Sequence, residues 1–332
     1  MGKATGALLG LAIGDALGRE TEFQAVEEIT ARHPDWRRLP LPKKALVTDD
    51  TQMTLALARG LRTALARGPL TPLRLERPVR EEFVDWWRSP QNNRAPGMTC
   101  LRSCQRLSRP EYRWQQASDV GSKGCGANMR VAPVGLIREL DARGLSGAAQ
   151  LQSALTHGHP TALAASDLTA YAVRRLAEGI APAALPAALR SYALAGRHRY
   201  DGFWLGDLAD RWYGPSPQDV IARGWDDCLE VLDRLEAALA SPDVEADPCL
   251  ATGGGWVAEE AFGTGLLCFL LLPDDPAAAV RRAAVSSGDS DSLACLTGAF
   301  AGAHHGESAW PADWVERIEH RDELLEFGAL WD

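Results

Sequence analysis

The chain has 332 residues, 46% hydrophobic and 24% charged, enough to bury a substantial core in one large domain or two ordinary ones. Its 35 basic against 44 acidic residues leave a net charge of −9, which speaks against broad adhesion to nucleic acid or to an anionic membrane. Seven cysteines, an odd number with Cys100 and Cys104 the only close pair, complete no zinc pattern and fit reduced thiols in the cytoplasm.

The first segment, "MGKATGALLGLAIGDALG", has one lysine and an apolar run interrupted by Asp15. It is too short to span a bilayer and lacks the charged start of a secretory signal, and Gly6 stands where a myristoylation motif needs Ser or Thr. Gly6, Gly10, Gly14 and Gly18 recur every four residues, which puts them on one face of a helix. Each interior glycine costs about 1 kcal/mol relative to alanine, so a close-packed partner must compensate. Periodicity then predicts helices over 49–66, 79–88, 146–156, 162–178, 182–195, 218–240, 257–271, 276–286 and 291–304. Segments such as "RSPQNNRAPG" and "GPSPQD" read as loops between them. Gly298, Gly302 and Gly306 repeat the four-residue spacing, so the first helix and the last long predicted one are expected to meet. Few runs alternate with period two, and no linker or repeat divides the chain. The expectation is one compact all-α domain over 1–332.

Two of these helices open on acids. In "VTDDTQMTLALARGL" Thr48 or Asp49 would suffice to cap a helix, and the second carboxylate of Asp50 is unexplained. In "VSSGDSDSLACLTGAF" Asp289, Asp291 and Ser292 repeat the theme. Either cluster alone reads as a cap. If the two converge, four carboxylates share one place and need cations to offset their repulsion. The donors are hard oxygens without histidine or cysteine, which favours Mg²⁺ or Mn²⁺ over zinc. Calcium stays open, although no EF-hand glycine or terminal glutamate follows. Paired metals commonly clamp oxygens and activate water.

With these stretches go "GALLGLAIGDALGRETEF" at 6–23, "TDDTQM" at 48–53, "GSKGCGANMRVAPVGL" at 121–136, "ALTHGHPTALAAS" at 154–166, "GGGWVAEEAFGTGLLCFL" at 253–270 and "SGDSDSLACLTGAFAGAHHG" at 287–306. In this order the set resembles the ADP-ribosylglycohydrolases, which include the dinitrogenase-reductase-activating enzymes. The resemblance implies an all-α fold with a two-metal centre, magnesium or manganese, at the mouth of a cleft that binds ADP-ribose. It places metal ligands on Thr48, Asp49, Asp50, Asp289, Asp291 and Ser292, with Asp49 and Asp291 as candidate bridging ligands in catalysis. It puts the general acid/base or water-gating role on Glu22, by its spacing from Asp15. It assigns substrate binding to the glycine-rich stretch (Gly121, Ser122, Lys123, Gly124, Cys125, Gly126, Met129 and Arg130) and to His157. Glycines there let backbone N–H groups approach phosphate oxygens.

Two departures stand out: Asn128 where a small or apolar residue is usual, and no acid between Pro90 and Pro110, so no base is assigned there. Asp15 is expected to cap or brace backbone, Cys125 to be a bystander thiol, and Trp256, Glu259 and Glu260 to pack or to brace a helix. His304 and His305 are read as helix-end residues. The implied function is metal-dependent removal of ADP-ribose from protein side chains, arginine being favoured by "KGCG…MRVAP". Serine- or nucleic-acid-linked ADP-ribose is the alternative substrate. The rival from another class is a non-catalytic ADP-ribose binder, or an immunity protein that neutralises a toxin partner by occlusion. No membrane partner is expected.

Overall fold

A computed structural model describes residues 2–332 of the chain. Twelve of its helices have nine residues or more: α1 (Lys3–Gly18), α2 (Asp49–Leu65), α3 (Pro72–Arg88), α4 (Met98–Leu107), α5 (Ala142–Ala154), α6 (Pro160–Ala177), α7 (Leu185–Gly196), α8 (Pro217–Ala240), α9 (Ala258–Leu271), α10 (Pro276–Ala284), α11 (Ser290–His305) and α12 (Arg321–Trp331). No strand occurs among the described residues; isolated bridges join Ala45 to Ile318, Asp119 to His157 and Gly124 to Val257. No helix among them is long and apolar enough to cross a membrane.

The spine of the fold is the antiparallel-looking seam that the glycine spacing predicts. Every residue of α1 from Ala4 to Gly18 is buried, and so is α11 from Ser290 to Ala303. A helix apolar all round belongs inside a core. Here the two backbones touch: a Cβ on Gly298 would lie 1.9 Å from the Gly10 carbonyl oxygen, and one on Gly302 would lie 2.0 Å from that of Gly6. Helices α9, α10 and α6 flank α11, while α12 lies along α1. Helix α3 crosses α2 where Gly60 leaves room for the Val79 backbone, and α5, α7 and α8 surround α6. One continuous apolar core connects Ala4 with Trp331, so both ends of the chain belong to the same all-α domain.

Where the helices differ from the periodicity, local chemistry explains it. Helix α3 begins at Pro72, not 79, because Thr71 caps it and proline suits a first turn; Pro78 is then carried inside the helix by the buried face of Leu75, Val79 and Phe83. Helix α5 starts at Ala142, ahead of 146, where the Asp141 side chain accepts from Gly144 N at 2.7 Å. Helix α4 was hidden from the pattern because its buried stripe is Cys100, Ser103, Cys104 and Leu107, mostly small or polar side chains. Helix α12 buries Leu324, Phe327, Gly328 and Trp331 at helical spacing. It ends on Asp332, whose carboxylate accepts from Ala4 N at 2.6 Å and Thr5 Oγ1 at 2.6 Å and thereby caps α1, which has no cap of its own.

Candidate metal centre

The α1–α11 seam brings two acidic helix starts and one turn to the same end of the core. Asp15, in the last turn of α1, accepts from Thr48 N at 2.9 Å, from Thr51 N at 3.1 Å and from Thr51 Oγ1 at 2.5 Å. It therefore braces the N-terminus of α2, as expected, and points its carboxylate at backbone. Thr48 caps α2 by accepting from Asp50 N at 3.3 Å. At the other cluster Asp289 N donates to Gly254 O at 2.8 Å, and Gly288 lies so close to that loop that a Cβ would meet Gly254 O at 1.9 Å. The turn after α1 is pinned by Thr21 Oγ1, which donates to Ala284 O at 2.6 Å and lies 3.1 Å from Ser290 Oγ. That holds Glu22 against the start of α11.

Glu22, Asp289 and Asp291 each offer a carboxylate oxygen within 4.8 Å of the others'. Asp49 and Asp50 line the same cleft, whose volume is about 350 Å³. Asp49, Asp50, Asp289 and Asp291 are at most 6% exposed. Burial, and then the neighbouring Asp291 carboxylate, holds Asp49, Asp50 and Asp289 well above the usual carboxylate range. Glu22 is pushed up by the same two causes. Asp50 Oδ2 is buried and has no hydrogen-bond partner among the described residues. A buried carboxylate oxygen left unpaired among like charges costs free energy, and either a proton or a hard divalent cation relieves both penalties. The donor set fits that group: four aspartates, a glutamate, and the hydroxyls of Thr48 and Ser292 at the helix starts.

The remaining residues singled out in the sequence divide into two groups. Gly124, Cys125, Gly126, Met129 and His157 line the cleft together with the acids. His157 is buried, paired through Nδ1 with Thr156 Oγ1 at 2.9 Å, and burial holds its pKa down to about 3, so the imidazole is neutral. Gly121, Ser122 and Lys123 lie outside this lining. Ser122 Oγ is 2.9 Å from Thr99 Oγ1, and Lys123 is paired with Glu259 and stands 3.6 Å from Asp227. Glu259 thus has a partner in the loop beyond mere packing. Arg130 is fully buried behind the loop: it donates to Gly126 O at 3.0 Å, Gln152 O at 2.9 Å and Thr156 Oγ1 at 2.8 Å, and stacks on Phe83 at 4.2 Å. Its guanidinium holds the cleft wall from inside.

Some other lining residues carry no motif signal. Ala95, Pro96, Gly97, Met98, Thr99 and Cys100 form one wall, and Gly97 N donates to Asp49 Oδ2 at 3.4 Å. Phe23 and Trp256 stack at 5.5 Å across the mouth, both substantially exposed, so Trp256 does not simply pack in the interior. Phe23 adopts φ 62°, a left-handed conformation that a bulky side chain rarely takes.

Comparison with known proteins follows the same outline. A family model described as ADP-ribosylglycohydrolase matches residues 1–332. The chain is similar to ADP-ribosyl-[dinitrogen reductase] glycohydrolase of Rhodospirillum rubrum, 26% identical over 97% of this chain and 92% of that protein. It is also similar to ADP-ribosylarginine hydrolase Tri1 of Serratia proteamaculans, 25% identical over 97% of this chain and 76% of that protein. A solved structure titled ADP-ribosylglycohydrolase-related protein complex superposes with a TM-score of 0.68 at 25% identity, covering 99% of this chain and 96% of the other.

Proposed function

The chain belongs to the ADP-ribosylglycohydrolase family, and on that premise we propose that it is a divalent-metal-dependent hydrolase that releases ADP-ribose from modified protein side chains, arginine above all. The bond broken is the one at the distal ribose. The observation that carries this reading is the convergence of buried carboxylates in one cleft, with Asp50 Oδ2 left without a partner. Thr48, Asp49, Asp50, Asp289, Asp291 and Ser292 would hold two cations, Mg²⁺ or Mn²⁺. Bound there, such cations supply Lewis-acid polarisation and an activated water.

The protein's own groups do the rest. Gly126 lets its backbone lie against Cys100 and His157, where a Cβ would meet Cys100 Sγ at 2.8 Å, and Arg130 fixes that wall of the cleft by donating to the Gly126 carbonyl. Neutral His157 presents a ring that neither repels a cation nor adds charge to the cleft. Glu22, clustered with Asp289 and Asp291 in the lining of the cleft, moves a proton between water and the departing side chain. Holding the ribose in register with these groups is where positioning contributes most. The arginine linkage is supported by the Serratia relative, named for ADP-ribosylarginine.

The test is release of ADP-ribose from an arginine-ADP-ribosylated protein with Mg²⁺ or Mn²⁺ and with EDTA. Release that EDTA abolishes is expected; D49N and D291N should be inactive, and E22Q should lose roughly 10²–10⁴-fold in rate while still binding Mn²⁺. No release from arginine by a protein that still binds ADP-ribose moves the acceptor to serine or nucleic acid. No release from any linkage overturns the hydrolase reading in favour of a binder.

A further inference from the structure

One side chain of the centre has no part in that chemistry. Cys125 Sγ donates to Asp289 Oδ2 at 2.9 Å and lies 3.6 Å from Ser292 Oγ, so it touches two of the residues assigned to the cations. It lines the cleft, is only partly buried, and is therefore reached by whatever enters. Asp50, whose Oδ2 is buried and has no hydrogen-bond partner among the described residues, lines the same cleft. The other donors are all carboxylate or hydroxyl oxygens. A hard cation gains little from sulfur, whereas Zn²⁺, Cd²⁺ and Co²⁺ gain a strong bond.

We propose that Cys125 is a latent sulfur ligand of the acidic centre: it donates to Asp289 beside Mg²⁺ or Mn²⁺, and gives its sulfur to the cation when Zn²⁺, Cd²⁺ or Co²⁺ enters. This rests on the reading of the centre as a divalent-metal site. The exchange is a simple one: the S–H proton leaves for solvent through the cleft, a metal–sulfur bond forms, and no electron is transferred. The sulfur adds affinity for soft cations that the oxygen donors do not supply, so zinc competes for the centre.

The experiment titrates the full-length, metal-stripped protein with Co²⁺ and records its absorbance. Expected are visible d–d bands together with a near-ultraviolet sulfur-to-cobalt charge-transfer band. C125A and C125S should keep the d–d bands and lose the charge-transfer band. Their Zn²⁺ affinity, read by competition with a chromophoric chelator, should fall about 10- to 100-fold while Mn²⁺ affinity hardly moves. Cobalt bound without a charge-transfer band, or a band that survives in C125A, overturns the sulfur ligand and leaves the metal centre standing. No binding of cobalt or manganese overturns the metal centre itself, and the sulfur ligand with it.

Discussion

His157 shows how far burial governs a single residue of the cleft. Its folded pKa is held down from 6.5 to about 3, first by desolvation and then by the Arg130 charge. Between those values the unfolded chain binds a proton that the folded protein refuses, so stability is intact above the unfolded pKa and is lost as pH falls toward the folded one. The slope from one such group is at most about 1.4 kcal/mol per pH unit. Asparagine in its place keeps a polar partner for Thr156 and removes the titration. Urea unfolding across the acid range should therefore show wild type losing stability faster than H157N. Parallel curves would mean that the imidazole is protonated in the folded protein. The acids of the centre cancel from this comparison because both proteins contain them.

Between helices the decisive quantity is the distance between backbones. Alanine at Gly298 would place its Cβ 1.9 Å from the Gly10 carbonyl oxygen, a backbone atom in a helix buried on all sides. Overpacking of this kind costs about 1–3 kcal/mol, and the upper end is expected where no flexible side chain can yield. Gly202, whose nearest neighbour to a new Cβ is Tyr200 Cε1 at 3.9 Å, is the control, and G202A should stay within about 0.5 kcal/mol of wild type. Thermal or urea melts of the two variants decide it. This seam was legible in the sequence because a four-residue glycine period has few other uses in a soluble helix. The acidic helix starts were legible too, since each is a contiguous motif, but their convergence was only a condition in the sequence: it is Asp15, accepting from Thr48 N and Thr51 N, that brings the first of them to the seam. Helix α4 was not, because Cys100, Ser103 and Cys104 do not register as an apolar stripe. Nor could spacing reveal the Cys125–Asp289 contact, which joins residues 164 apart, or the Phe23–Trp256 stack. Arg130 read as a ligand contact because its motif is contiguous with the loop, whereas its long side chain turns inward to Gln152 and Thr156.

At the scale of the whole molecule, an acidic centre that holds cations would couple folding to both cations and protons. In the cation-free protein, burial and mutual repulsion raise the carboxyls of Asp49, Asp50 and Asp289 above their ordinary 3.8, Asp49 to about 8. The folded state then binds protons that the unfolded chain releases, so this contribution to stability is present in acid and is lost as pH rises through the folded values. Cations bound there would reverse the sign, because they require the same carboxylates deprotonated and would bind only the folded arrangement. A cation at a hundred times its dissociation constant adds about 2.7 kcal/mol. Thermal melts with EDTA and with Mn²⁺ should accordingly show a small manganese increment at pH 5.5 and a large one at pH 8. The increment in D50N should be reduced at both, since Asp50 contributes the oxygen that no protein group satisfies. An increment independent of pH, or largest in acid, would mean that the carboxylates are already ionised without a cation and that proton competition does not govern the centre.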